Sequence, residues 1–273
     1  MENSDLFTIS GKIIVITGGA GVLGGKMATM LLEHQAKVVI LDLNQSSIDQ
    51  KLKELHAISD NAVGYPCDVT SQEKLETVKQ QILDKWGRID VLINAAGGNM
   101  PGATVAPDQT VFDVSVDALQ KVLDLNLMGS VLPTLVLGKV MADQKSGSII
   151  NISSMAATRS ITRVLGYSLA KAGIDIFTRW MATEMSLKFG DGIRVNAIAP
   201  GFFIGEQNRR LLTNEDGSLT DRGNTIIKNT PMQRFGEAEE LNGTILYLCS
   251  DASKFVTGTI VPIDGGFSAF SGV

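Results

Sequence analysis

A chain of 273 residues with 24 Lys and Arg against 29 Asp and Glu, a net charge of −5, lacks the basic excess that nucleic acid or an anionic membrane surface attracts, so neither is expected as a partner. Apolar residues at 44% and charged residues at 19% are the make-up of an ordinary globular protein, long enough for one α/β domain or two. Two cysteines far apart in apolar settings, Cys67 and Cys249, fit neither a disulfide framework nor a metal cluster; they suit a reducing compartment and read as small core side chains.

Met1 to Ser10 is polar and acidic, without the apolar stretch of a secretory leader, and no run is expected to reach the ~18 apolar residues of a membrane helix. The chain reads as cytoplasmic. Short β-branched runs then alternate with helical stretches from end to end. The first, Lys12–Thr17, leads into Thr17-Gly18-Gly19-Ala20-Gly21-Val22-Leu23-Gly24 and a helix over Gly25–His34. Glycines at a strand-to-helix turn let the backbone approach a pyrophosphate, which the free N–H groups and dipole of the helix start then hold.

The second strand, Lys37–Leu41, ends at Asp42, 18 residues after Gly24 (42 − 24). A carboxylate there accepts hydrogen bonds from both adenosine ribose hydroxyls and repels a 2′-phosphate, and no Arg or Lys adjoins it, so NAD is favoured over NADP. The third, Ala62–Cys67, closes on Asp68, which either bonds the adenine amino group or caps the helix that follows over Gln72–Trp86. The fourth, Val91–Asn94, runs into Ala95-Ala96-Gly97-Gly98, small residues that let something bulky pack on the backbone or merely turn the chain.

A long apolar helix over Asp117–Ala142 carries Asn126, a buried amide that must find partners. It either bends or bridges helices, or serves a polar relay. The fifth strand, Ser148–Ser153, ends on Ser153 and Ser154. Beyond it Tyr167 and Lys171 stand four apart, on one face of any helix they share. A cation beside a phenol favours the phenolate and makes a proton shuttle, although the same spacing occurs on helices with no such task. A helix over Leu169–Phe189, strands Arg194–Ala199 and Thr259–Ile263, and a helix over Glu237–Ser250 complete the alternation.

Strands that are apolar throughout, separated by helices, are those of a doubly wound parallel sheet covered on both faces. The expected fold is therefore α/β. Residues 201–235 break the rhythm, being mostly polar with no clear strand and a turn at Asp216-Gly217, and read as a lid or substrate-facing excursion. His34 and His56 share no spacing with acids or cysteines, and no metal site is expected. Trp86 and Trp180 are read as packing helices on the sheet.

Taken in order, the T-G-x-x-x-x-x-G turn, the D-V pair at Asp68, N-A-A-G at Asn94, Asn126, the serine after the fifth strand, Tyr167-x-x-x-Lys171, R-V-N-A-I-A-P-G at Arg194–Gly201 and the late D-G-G at Asp264–Gly266 resemble the short-chain dehydrogenase/reductase family over nearly the whole chain. The resemblance implies a single-domain Rossmann fold with a seven-stranded parallel sheet across 1–273, and hydride transfer between a nicotinamide and a carbonyl or alcohol carbon. The family's spacing puts its serine 13 before the tyrosine (167 − 154), which selects Ser154 over Ser153. Tyr167 is then the general acid/base, Ser154 bonds the reacting oxygen, Lys171 holds the nicotinamide ribose and lowers the Tyr167 pKa, and Asn126 positions a water.

The resemblance assigns the dinucleotide to Thr17, Gly18, Gly21, Val22, Leu23, Gly24, Asp42, Leu43, Asp68, Val69, Asn94, Ala95, Ala96 and Gly97, to Tyr167 and Lys171, and to Pro200, Gly201 and Phe203. Val22 departs from the pattern, standing where the family has its second glycine, so its Cβ either crowds the pyrophosphate or shifts the turn. Asp264-Gly265-Gly266 either meets an oligomer partner through the C-terminal tail or turns the chain; a homo-oligomer, tetramer or dimer, is implied. Stretches such as N-A-A-G-G-N, A-P-G-F-F-x-x-E-Q-N-R and D-G-G-F-S-A-F-S-G-V are similar to the D-mannonate oxidoreductase (fructuronate reductase) subgroup. That implies a sugar-acid substrate, D-fructuronate or D-mannonate. Related gluconate, polyol or 3-oxoacyl reductases are the alternative, and a dinucleotide sensor without turnover a remoter one. A hexuronate calls for guanidinium, amide and hydroxyl partners, for which Asn99, Arg159, Arg163, Gln207, Asn208 and Arg209 are the candidates.

Overall fold

Seven apolar runs become seven parallel strands because each can bury both faces between helices. In the computed structural model, which describes residues 6–205, 209 and 211–272, these are β1 (Ile13–Thr17), β2 (Lys37–Asp42), β3 (Ala62–Pro66), β4 (Val91–Asn94), β5 (Gly147–Ile152), β6 (Ile193–Pro200) and β7 (Ile260–Ile263). Their order across the sheet is β3-β2-β1-β4-β5-β6-β7, every pairing parallel. Strands β1, β4 and β6 are buried at every position, whereas the edge strands β3 and β7 are partly open. Pro66, which has no N–H to donate, ends an edge strand, where that loss is tolerated.

The helices are α1 (Val22–Glu33), α2 (Gln45–His56), α3 (Gln72–Trp86), α4 (Val116–Leu123), α5 (Gly129–Gln144), α6 (Leu165–Phe189), α7 (Asp221–Lys228) and α8 (Asn242–Cys249). Two apolar cores lie on opposite faces of the sheet. Met27, Leu31, Ile48 and Leu248 pack on one, and Leu75, Val78, Met141 and Met185 on the other. Burial pushes the Cys67 thiol up to about 11 and the Cys249 thiol up to about 12, so both are inert core side chains.

Several boundaries differ from the expected ones. Helix α1 starts at Val22 instead of Gly25, because the backbone is already helical once Gly21 has made the turn. Helix α6 starts at Leu165, not Leu169, so Tyr167 lies within it. The long helix over 116–144 is interrupted between α4 and α5 by one π-helical turn, Asp124–Met128, with Asn126 at its centre. By length and composition this stretch is apolar enough to cross a membrane, contrary to expectation; 56% of its apolar window is buried within the protein, as in a core helix. Trp180 is 59% exposed instead of packed on the sheet, since it lies on the outer side of α6 with Leu169, Ile176 and Leu187.

The excursion is more ordered than its polar sequence implied. It holds α7 and isolated bridges from Phe203 to Gly236 and from Thr213 to Leu219. The Asp216-Gly217 turn forms as expected, with Gly217 in the left-handed region and the Asp216 carboxylate accepting from Ser218. The R-V-N motif is structural: Arg194 donates to the carbonyls of Leu248 and Ser250, and Asn196 clasps Val256 and Thr259.

Candidate active site

The carboxyl ends of β1, β4 and β5 meet because their strands are neighbours in the sheet, and the turn residues are small enough to touch. Gly18 has φ +65, and a Cβ there would sit 2.8 Å from Ala96 Cα, so only glycine lets the first turn lie against the end of β4. Thr17 Oγ1 locks the same junction by accepting from the N–H groups of Ala95 and Ala96, each at 3.1 Å. Gly24 closes the turn from below: its Cβ would come within 2.4 Å of the Gly18 carbonyl oxygen.

The start of α1 is built for an anion. Gly21 caps it without a side-chain hydrogen bond, and no acid lies in its first turn, so the terminal amides and the positive end of the dipole stay available. Val22 opens the helix with its side chain 44% exposed. The close approaches of the turn are made at Gly18 and Gly24, not at the position Val22 occupies. Asp42 closes the other side. One carboxylate oxygen accepts from the Ala20 N–H at 3.2 Å and the other from the Leu43 N–H at 2.8 Å. Leu43 is 66% exposed beside it. A backbone cradle, an uncapped helix start and an acid at the end of β2 together fit a dinucleotide.

Other assignments are placed differently. The N-cap of α3 is Ser71, and Asp68 uses one carboxylate oxygen to accept from Thr70 N–H at 2.9 Å and Oγ1 at 2.6 Å, which ties it to its own loop. Val69 is buried against the turn at Gly129. Asn94 points into the core, donating to Thr134 Oγ1 at 2.9 Å and Asn151 Oδ1 at 2.8 Å, while Asn151 donates to Thr178 Oγ1 at 2.9 Å. That chain of amides joins β4, β5, α5 and α6, so Asn94 holds the sheet together instead of facing a cofactor.

Phe203 is turned inward at 9% exposure, its ring against Gly236, where a Cβ would be 2.5 Å from Cε1. Gly201 follows Pro200 and packs its bare Cα on Asp264, whose carboxylate accepts from the N–H groups of Gly266 and Ser268 at 2.9 Å each. That is a turn of the chain, with Gly265 and Gly266 both left-handed.

Asn126 is fully buried and clamps the backbone of Gly98 at both its N–H and its carbonyl. Its Oδ1 accepts from the Gly98 N–H at 3.0 Å, and its Nδ2 donates to the Gly98 carbonyl at 2.7 Å and the Val122 carbonyl at 2.9 Å. Asn126 stands at the centre of the π turn, and its amide bonds both this loop and the preceding turn of its own helix. A Cβ on Gly97 would lie 2.7 Å from Asn126 Oδ1 and 3.6 Å from Lys171 Nζ, so loop, amide and lysine share one small space.

Lys171 Nζ donates to the Ile152 carbonyl at 2.7 Å and stands 5.4 Å from the Tyr167 ring centroid. Burial lowers its pKa to about 8, and the nearby Asp175 opposes that fall. The Ser154 hydroxyl, which accepts from the Ala156 N–H at 3.2 Å, stands close enough to Tyr167 to act on its phenol. Burial raises the tyrosine pKa and the neighbouring Ser154 hydroxyl partly offsets the rise. In the protein alone burial and Ser154 are the influences on the phenol, while the Lys171 ammonium donates to the Ile152 carbonyl.

Asp175, which sequence reasoning missed, is a buried acid one turn beyond Lys171. Ser153 Oγ donates to it, which gives Ser153 its structural role, and burial raises the Asp175 pKa. The signal was present as Tyr167, Lys171 and Asp175 at intervals of four. A cavity of about 170 Å³ lies behind Ser154, lined in part by Asp175, Arg179 and Ser268. A second, of about 350 Å³, lies between Phe202, Phe203, Arg234 and Asp264 and includes none of Asn126, Ser154, Tyr167 and Lys171.

The substrate candidates separate. Arg159 Nη2 donates to the Ser268 carbonyl, so this guanidinium secures the C-terminal tail. Asn99 accepts from the neighbouring Met100 N–H at 3.1 Å. Arg209 is exposed, in a helical turn whose backbone bonds run to Gly205 and Thr213. Arg163 is half-buried on the loop before α6. Gln207 and Asn208 lie outside the described residues.

Known proteins agree with this arrangement. The sequence model described as enoyl-(acyl carrier protein) reductase, of the short-chain dehydrogenase group, matches residues 18–268. A Haemophilus influenzae crystal structure with bound NAD, assigned provisionally as a D-mannonate oxidoreductase, is 43% identical with a TM-score of 0.92, covering 97% of this chain and 98% of that one. The uncharacterized oxidoreductase UxuB of Bacillus subtilis is 44% identical over 274 residues, 97% of this chain and 98% of its own. A Burkholderia cenocepacia gluconate 5-dehydrogenase, solved with NADP and tartrate, is 27% identical with a TM-score of 0.85 over 97% and 98% of the two chains. The chain belongs to the short-chain dehydrogenase/reductase family and is an NAD(P)-dependent oxidoreductase acting on CH–OH groups.

Proposed function

We propose that this enzyme interconverts the carbonyl and alcohol of a sugar acid, D-fructuronate and D-mannonate, and prefers NAD to NADP. The observation that carries the substrate reading is the 43% identity to the Haemophilus influenzae protein, which spans the excursion as well as the core. The cofactor preference is supported by Asp42, whose carboxylate faces the glycine-rich turn with no cation bonded to it. Gluconate is the second reading, supported by the likeness to the Burkholderia gluconate 5-dehydrogenase. The complete set of Asn126, Ser154, Tyr167 and Lys171 argues against a sensor without turnover.

The nicotinamide, when bound, supplies the hydride acceptor or donor. The remaining work falls to the protein. Tyr167 moves the proton at the reacting oxygen, and Ser154, beside the phenol, orients that oxygen. Burial favours the protonated phenol, which is the form that carbonyl reduction starts from. Lys171 and Asn126 hold the Gly97-Gly98 loop and the Ile152 carbonyl, and so set the floor on which a nicotinamide ribose would rest. A homo-oligomer is part of the proposal, supported by the exposed apolar stripe Leu169, Ile176, Trp180 and Leu187 on α6.

The test is a nicotinamide-absorbance assay over hexuronates, aldonates, polyols and β-keto thioesters with both dinucleotides. Turnover of D-mannonate or D-fructuronate with NAD(H), at a kcat/KM above that of every neutral polyol, is expected. Activity confined to thioesters would reject the sugar-acid reading.

A further inference from the structure

Three segments that leave the carboxyl ends of β4, β5 and β6 converge on a pair of arginines. Arg163, four residues before Tyr167, has φ +76, a left-handed backbone that a non-glycine residue adopts only when its surroundings impose it. Here Val105, from the segment after β4, imposes it. The Val105 N–H donates to the Arg163 carbonyl at 3.0 Å, and Arg163 Nε donates to the Val105 carbonyl at 2.6 Å. The guanidinium is thus anchored at Nε, with both Nη groups unspent.

Arg222 comes from the segment after β6. It sits in the first turn of α7, where a cation opposes the helix dipole, so its own helix gives it no reason to be there. Its Nη1 donates to Thr162 Oγ1 at 3.1 Å and its Nη2 approaches the Thr162 carbonyl at 3.5 Å, which brings it beside Arg163. Burial, and then the charge of Arg163, lower the Arg222 pKa. Among the described residues no carboxylate lies within ion-pair distance of either arginine, whereas Arg88 and Arg234 each hold an acid.

Two half-buried guanidinium groups that repel each other, each anchored by hydrogen bonds to other segments, form a site that an anion relieves. We propose that Arg163 and Arg222 together bind the carboxylate of the substrate, at the mouth where Tyr167 meets the reacting carbon. This rests on the sugar-acid reading above and deepens it. A planar carboxylate takes two parallel N–H bonds from a guanidinium fork, and a neutral polyol or a ketone has no group to match that pair. The position is also the one that open parallel sheets use for ligands, beyond the carboxyl ends of their strands.

The experiment compares wild type, Arg163→Gln, Arg222→Gln and Arg222→Lys by steady-state kinetics and by calorimetric titration of D-mannonate and D-gluconate into the NADH-loaded enzyme. NADH affinity and melting temperature serve as checks on folding. Each Gln variant is expected to weaken acid binding and raise KM at least ten-fold, with kcat changed less than three-fold and the turnover of a neutral polyol unchanged. Arg222→Lys should recover part of the loss. Wild-type binding and turnover of the acids, with both Gln variants within two-fold of it, would overturn the arginine pair and leave the sugar-acid reading standing. Failure of the wild type to bind any sugar acid would overturn both.

Discussion

The dinucleotide side of the sheet and the substrate mouth are made of different material. Around β1, β2 and β4 the recognising surface is mostly backbone: a left-handed Gly18, amides at the start of α1, and a loop clamped at Gly98 by Asn126. Around 159–166 and α7 the surface is side chain, with Arg163 anchored at Nε and Arg222 held to Thr162 through its Nη groups. Backbone recognises what all dinucleotides share. Long charged side chains recognise what distinguishes one substrate from another, and can be replaced without disturbing the sheet.

Tyr167→Phe should give the largest effect and the sharpest separation of the two regions. Turnover falls by roughly 10²–10⁴-fold, the usual worth of general acid–base catalysis, while NADH affinity by tryptophan fluorescence stays within a few-fold. A matching loss of NADH binding would mean that the phenol belongs to the dinucleotide side. Asp42→Ala comes next. Losing a charged acceptor for the ribose hydroxyls should reduce the preference for NAD over NADP by roughly ten- to a hundred-fold in kcat/KM, with KM for the acid unchanged. Equal preference in the wild type would sink the Asp42 argument.

The smallest effect is expected at the seam between the regions, in Asp175→Asn. Among the described residues, the charged or titratable groups that act on Lys171 or stand beside it are Asp175 and Tyr167, both on α6. Burial pulls the lysine down to about 8 and Asp175 pulls it up. Removing the carboxylate therefore lets Lys171 lose its proton at lower pH, so the alkaline limb of kcat/KM moves toward neutrality while rates near pH 6 hold. An unmoved limb would show that Asp175 only braces Ser153.

All seven strands were legible to within one or two residues, because a strand buried on both faces is mainly apolar, and the few polar residues it carries, Asn94 in β4 and Arg194 and Asn196 in β6, are bonded inside the protein. The proposed catalytic set was visible in the sequence for a related reason. Tyr167 and Lys171 share a helix face by spacing alone, and the glycines of the first turn announce a close approach. Asp175 escaped notice although it continued the same spacing. Nothing in the chain says that an acid on α6 is buried and not solvated.

What escaped the sequence was direction. The side chains of Asn94 and Phe203, read from the sequence as ligand contacts, are buried, because Thr134 and Asn151 take the amide and Gly236 leaves room for the ring. Arg159 and Arg163 read as equivalent until the fold brought Ser268 to one and Val105 to the other. The sequence by itself determined the sheet, the cofactor turn and the Tyr–Lys pair, because periodicity and glycine chemistry are local. Only the tertiary structure decided which polar groups are spent on the protein and which remain for a ligand, because those partners stand as far apart in the chain as Thr162 and Arg222 and meet only when three strands end at one edge.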